Sequence, residues 1–121
     1  MKINKNNKLL YISNLAWNHK DIDSVINLIK KNKFTGVDIA PLQLNNKWKN
    51  IEKKILILSK KLQKNKIKVN AIQGIFYKKN FNLFKNYNKN FTKIYQHFLS
   101  IIKICKILRC NKIIIGSSDF R

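Results

Sequence analysis

The chain has 121 residues, with 26 Lys and Arg against 5 Asp and Glu and a formal net charge of +21. That length is enough for one modest domain with a packed core, and an apolar share of 45% excludes a wholly disordered chain. No stretch approaches the roughly 18 consecutive apolar residues that a membrane-spanning helix needs.

Four short runs rich in β-branched residues alternate with three longer stretches of helical period. The first run covers residues 9–13. After it, Ile22, Val25, Ile26 and Ile29 recur at spacings of three and four and predict a first helix. Asp21 or Asp23 is placed to cap its start, where a carboxylate accepts free backbone N–H groups. The second run is 36–40. A second helix carries Ile51, Ile55, Leu58 and Leu62, beginning near Trp48 and ending around Asn65, a residue suited to the position just past a helix. The third run is 69–73. The third helix has the longest stripe, from Phe91, Ile94 and Tyr95 through Phe98, Ile101 and Ile102 to Cys105 and Leu108. The fourth run, 112–116, follows it.

Strands alternating with helices predict an α/β fold with parallel pairing through right-handed crossovers. An open doubly wound sheet and part of a (β/α)8 barrel both fit this order. The first strand-to-helix connection lacks GxGxxG and GxxxxGK[ST], which removes the usual dinucleotide and P-loop forms of the open sheet. If Val37 and Ile39 face the helices, Asp38 faces the other way, with Ser13, Ala71 and Gln73 beside it. A carboxylate in a hydrophobic strand is costly unless paired or wet, so Asp38 either meets a structural partner or faces a substrate. Polar side chains near the C-terminal ends of strands mark the mouth of such barrels.

Cys105 and Cys110 cannot make a disulfide framework, and no CxxC or Cys/His cluster suggests zinc. Cys105 lies inside the third stripe and reads as a small buried hydrophobe. The apolar segment after the basic first eight residues is too short for a signal peptide, so a cytoplasmic protein with free thiols is expected. All the basic residues except Arg109 and Arg121 are lysine, and Lys, Asn and Ile together exceed half the chain. Those three residues have the codons richest in A and T, so the charge reads as compositional bias on solvated helix faces rather than as selected phosphate contacts.

His19 lies in the loop after the first run and reads as solvated, while His97 sits at the flank of the third stripe and reads as a surface or boundary residue. Two histidines without HxH or HExxH, and five scattered carboxylates, give no complete metal site. Trp48 reads as a packing anchor at a helix start. Tyr77, Phe81, Phe84 and Tyr87 read as the aromatic packing of a long loop over a barrel mouth, with a base-stacking surface as the competing account.

Several segments together carry a family resemblance. Ser13-Asn14-Leu15-Ala16-Trp17 closes the first run, and Phe34-Thr35-Gly36-Val37-Asp38-Ile39-Ala40-Pro41 forms the second and its exit. Ala71-Ile72-Gln73 with Phe76 follows the third, the long helix carries residues 95–108, and residues 113–117 enter the fourth. From about Leu9 to Arg121 this succession resembles the N-terminal half of the sugar phosphate isomerase/epimerase family, a xylose isomerase-like TIM barrel. The resemblance implies residues 1–121 as a truncated half of such a barrel, with about four parallel strands and three helices. It implies a sugar or sugar phosphate substrate and, in the full-length form, a divalent metal held by later strands, with none bound by this chain. By the same resemblance, Asn14 and Trp17 line a sugar pocket, Asp38 stands where relatives carry Glu, and Gln73 matches a glutamine at the third strand's mouth. Ser117 belongs to a Gly-Ser turn, with Ser118 in place of a proline, and Arg121 follows as an anion-binding arginine.

Such a half-barrel is expected to be inactive alone and to self-associate through its open edges, because Tyr11, Ile72 and Ile114 would lose cover. The alternative from another class is a small basic nucleic-acid-binding module. The favoured reading expects no specific nucleic acid and no membrane as partners. Endonuclease-like cleavage, known in the same barrel superfamily, is disfavoured by Gln73 and Ser117 where histidines would be needed.

Overall fold

Strands β1 (Tyr11–Ser13), β2 (Gly36–Ile39) and β3 (Lys68–Ile72) alternate with helices α1 (Ile22–Lys31), α2 (Ile51–Lys64) and α3 (Tyr87–Leu108) in a computed structural model that describes residues 8–81 and 87–116. The strands make an open, all-parallel sheet in the order β1-β2-β3. The fourth run contributes one parallel bridge, Ile72 to Ile113, made by Ile72 N–H to the Lys112 carbonyl at 3.0 Å and Ile114 N–H to the Ile72 carbonyl at 2.8 Å. A full fourth strand was expected. Ile114 and Ile115 are exposed, and among the described residues the fourth run makes no pairing beyond this bridge.

One residue of slip shapes the sheet. Val37 pairs with Val69 but Asp38 pairs with Ala71, so Asn70 is the extra residue of a bulge. Because side chains alternate along a strand, the slip moves Ile72 onto the same side as Val69. Ile72 is therefore fully buried with the helices rather than uncovered on an open face, a correction to the expectation above. Close approach fixes the start of β2 as well: a Cβ on Gly36 would lie 2.1 Å from the Lys68 carbonyl oxygen, so no larger residue fits this pairing.

All three helices join one hydrophobic cluster with the sheet. Ile26 and Ile29 from α1, Ile55 and Leu62 from α2, and Ile101 and Ile104 from α3 pack with Val37, Ile39 and Ile72. Ser59, buried on α2, donates its hydroxyl to the Ile107 carbonyl at 2.7 Å and so ties α2 to α3. The α1 and α2 stripes fall as the spacing predicts. Of the α3 stripe, Ile94, Ile101, Cys105 and Leu108 are buried as expected, Phe91, Tyr95 and Ile102 are 49%, 52% and 43% exposed, and the inner line runs Ile94, His97, Ile101, Ile104 and Leu108. That inner line keeps alternating spacings of three and four but contains a histidine, which a search for purely apolar positions passes over.

The helix ends also differ from expectation. Neither Asp21 nor Asp23 caps α1; Asp21 occupies the N-cap position without a side-chain bond, and Asp23 forms an ion pair with Lys61 at 2.8 Å. Helix α2 starts at Ile51 rather than near Trp48, and Lys66, not Asn65, takes the left-handed conformation past its end. All three helices close in one pattern. Phe34, Ile67 and Cys110 donate backbone N–H to the carbonyls of Ile29, Leu62 and Cys105 at 3.1, 3.0 and 3.0 Å. Lys33, Lys66 and Arg109 hold the intervening positive φ of 56°, 57° and 54°. This is the six-to-one closure usually given to glycine, here forced on basic residues. The closure also sets Cys110 against Cys105, and burial pushes the Cys105 thiol up to about 12, with neighbouring Cys110 adding to it.

Among the described residues no helix is long and apolar enough to cross a membrane.

Candidate functional site at the strand ends

The face of the sheet away from the helices carries a chain of polar groups. The Asn70 amide donates to Asp38 Oδ1 at 2.8 Å, and Lys112 Nζ donates to Asn70 Oδ1 at 3.2 Å. The Gln73 amide donates to Ser13 Oγ, which also accepts from the Leu15 N–H at 3.1 Å. Three of the strand residues expected to share this face, Ser13, Asp38 and Gln73, are thus bonded across it, all half-buried. The fourth, Ala71, is buried at the bulge, opposite Asp38. Asp38 does have a structural partner. The amide that meets it also accepts from the Lys112 ammonium.

Asn70 and Lys112 were not singled out from the sequence. The polar residue between Val69 and Ala71 was a signal that could have found Asn70, but its position beside Asp38 depends on the bulge. Lys112 lies beside it because the 110–113 segment returns along β3.

The other expected pocket residues lie elsewhere. Asn14 is 3% exposed, and its amide is spent on the backbone of Ala40, donating to the carbonyl at 3.1 Å and accepting from the N–H at 2.7 Å. It staples the exits of β1 and β2 together, as a substrate-binding amide could not while so engaged. Trp17 packs against the helix-side cluster, beside a groove of about 200 Å³ shared with Ile22, Leu44 and Leu58. Ser117 and Arg121, like Ser118, Asp119 and Phe84, lie outside the described residues. His19 is exposed in a short 3-10 turn.

At the C-terminal ends of the strands, Ala40, Gln43, Gly74, Tyr77, Lys78 and Ile114 line a depression of about 710 Å³. One wall is the 74–81 loop, which begins at Gly74 with φ of 62°. His97 holds this loop from behind. It is 5% exposed, a correction to its reading as a surface or boundary residue, and its Nε2–H donates to the Ile75 carbonyl. Burial holds the imidazole below its ordinary value of 6.5 against the raising effect of that bond, and the Lys79 ammonium lowers it further. Trp48, just ahead of α2, meets the His97 ring edge-on at 4.6 Å and donates Nε1–H to the Tyr77 carbonyl at 2.9 Å. It is a helix-start anchor, as the sequence suggested. Phe81 packs at the edge of Phe76, within the aromatic loop packing expected for this segment.

Among the described residues no three His, Cys, Asp or Glu side chains come together as a metal site. Asp38 is the carboxylate on the polar face, and its Oδ1 is engaged with Asn70. The described residues alone do not make a ligand set for the divalent metal that the family resemblance implies. No protein-family model matches the chain, and no curated protein sequence matches it.

Proposed function

We propose that the chain is part of a (β/α)8 barrel enzyme of the sugar or sugar phosphate isomerase/epimerase type, binding a polyhydroxylated substrate on the polar face and strand ends. The observation that carries this reading is the segregation of the two faces. Every helix packs on the side of Val37, Ile39 and Ile72, while Asp38, Asn70, Lys112, Ser13 and Gln73 lie opposite. Consecutive parallel strands with all helices on one side are what a barrel wall requires, and its inner face needs groups that answer sugar hydroxyls. Carboxylate, amide and hydroxyl groups supply both donors and acceptors, and Lys78 at the rim supplies positive charge for a phosphate. In the full-length form a divalent metal would be held by other strands.

The test is thermal unfolding of the chain with aldoses, ketoses and their phosphates at millimolar concentration. A ligand at a hundred times its dissociation constant stabilises by about 2.7 kcal/mol. At least one compound should raise the midpoint, and Asp38→Asn should reduce that rise. A panel without effect would end this reading.

The net charge supports a second reading, a nucleic-acid-binding module, because the ion pair among the described residues, Lys61 with Asp23, leaves most lysines unneutralised. Its signature is affinity that discriminates between sequences or strand types at physiological salt. Binding that disappears there without any preference would leave only nonspecific attraction.

A further inference from the structure

The 74–81 loop is gripped from the helical layer at successive points. His97 of α3 donates to the Ile75 carbonyl, and Trp48 ahead of α2 donates to the Tyr77 carbonyl at 2.9 Å. Lys78 reaches back to the Asn46 side chain and, at 3.4 Å, to its carbonyl. Inside the loop, Tyr77 N–H bonds the Gly74 carbonyl at 3.1 Å and Lys79 N–H bonds the Phe76 carbonyl at 2.9 Å. The loop therefore forms short turns of its own; its Ile75 and Phe76 side chains are buried in the core, and its polar attachments to the body are those of Trp48, His97 and the Lys78–Asn46 contact.

We propose that Trp48 and His97 form a latch that holds the 74–81 loop against the helical layer, closed while the imidazole is neutral and released when it is protonated. The latch stands on the fold alone and holds whether or not the strand ends bind a sugar. A neutral imidazole with its proton on Nε2 satisfies the Ile75 carbonyl and presents an uncharged ring to the edge of Trp48 and to Phe76 and Phe81. A second proton places a full charge among those rings in a site that is 5% exposed. Its electrostatic surroundings oppose that charge. The groove beside His97 is lined by Lys53 of α2, Lys79 of the loop and Lys93 of α3, against one carboxylate, Glu52. Lys79 Nζ already lies 5.8 Å from the ring centres of both Trp48 and Phe81, where a cation finds its aromatic partner. The charge is relieved when the loop lifts and the imidazolium meets water, a release that also uncovers Ile75 and Phe76, 2% and 4% exposed in the closed state.

The direction follows from linkage. The closed state binds the second proton more weakly than an open state with an ordinary imidazole, so the open fraction grows as pH falls below 6.5. While only the open form protonates, that growth is about tenfold per pH unit. Well above 6.5 the opening no longer depends on the protonation of His97.

Trp48 is also the probe. In the full chain carrying Trp17→Phe, its emission should shift to longer wavelength as pH falls from 8 to 5, with unchanged helical circular dichroism. Adding His97→Gln, which keeps a donor for Ile75 but cannot be protonated in this range, should abolish the shift; adding Glu52→Gln should not. Should either background fail to fold, hydrogen exchange on the unsubstituted chain, corrected for intrinsic rates, gives the same answer. The amides of Tyr77 and Lys79 should then lose protection in acid while those of α2 keep theirs. A flat profile, a shift that survives His97→Gln, or simultaneous loss of helix protection would each overturn the latch.

Discussion

The two faces of the sheet are built from the same short strands, yet their physics is opposite. On the helix side, Val37, Ile39 and Ile72 are fully buried by all three helices, and nothing there depends on direction beyond shape. On the other side, Asp38, Asn70, Lys112, Ser13 and Gln73 are joined by bonds whose strength depends on orientation and which water can replace. The first face holds the fold together; the second is half-exposed, and the binding proposed above would exchange its internal partners for a ligand. Stability and that proposed binding should then be separable by mutation.

The largest effect should come from breaking the apolar face. Ile104→Ala removes a fully buried side chain where α3 meets the shared cluster, and should cost about 2–5 kcal/mol in urea unfolding. A loss below about 1 kcal/mol would mean that the helix layer is not packed as described. A smaller effect, of opposite sign, belongs to the helix ends. Lys66→Gly relieves a non-glycine residue at φ of 57° and should stabilise by about 1 kcal/mol. The same change at Lys60, exposed inside α2, should destabilise by about 1 kcal/mol. The smallest change in stability should come from the polar face. Asp38→Asn keeps the shape, allows the Asn70 amide to find a carbonyl partner, and should shift stability by about 0.5 kcal/mol or less, while weakening any sugar binding. A collapse of the fold in this variant would show Asp38 to be structural and would remove the separation between the faces.

Much of the helix side was legible because burial follows period. Ile22, Val25, Ile26 and Ile29, and again Ile51, Ile55, Leu58 and Leu62, lie at helical spacing, and the structure puts both sets against the sheet. The α3 stripe was legible at Ile94, Ile101, Cys105 and Leu108 but not at His97 and Ile104, which complete its inner line. A histidine is apolar enough to be buried once its N–H has a partner, and that partner, the Ile75 carbonyl, is 22 residues away in sequence. On the polar face, Ser13, Asp38 and Gln73 could be assigned together from strand alternation. Asn14 could not be read correctly, since its two bonds to Ala40 require the exits of β1 and β2 to be adjacent.

By itself the chain's sequence determined the alternation of strand and helix, the apolar faces of α1 and α2, and the side of the sheet on which Asp38 lies, because each follows from the local period of side chains along a backbone. Tertiary structure decided the bulge at Asn70, the place of His97 on the inner line of α3 and the grip of Trp48 and His97 on the 74–81 loop. These depend on close approach between distant segments, and no local pattern of residues encodes which carbonyl will be waiting there.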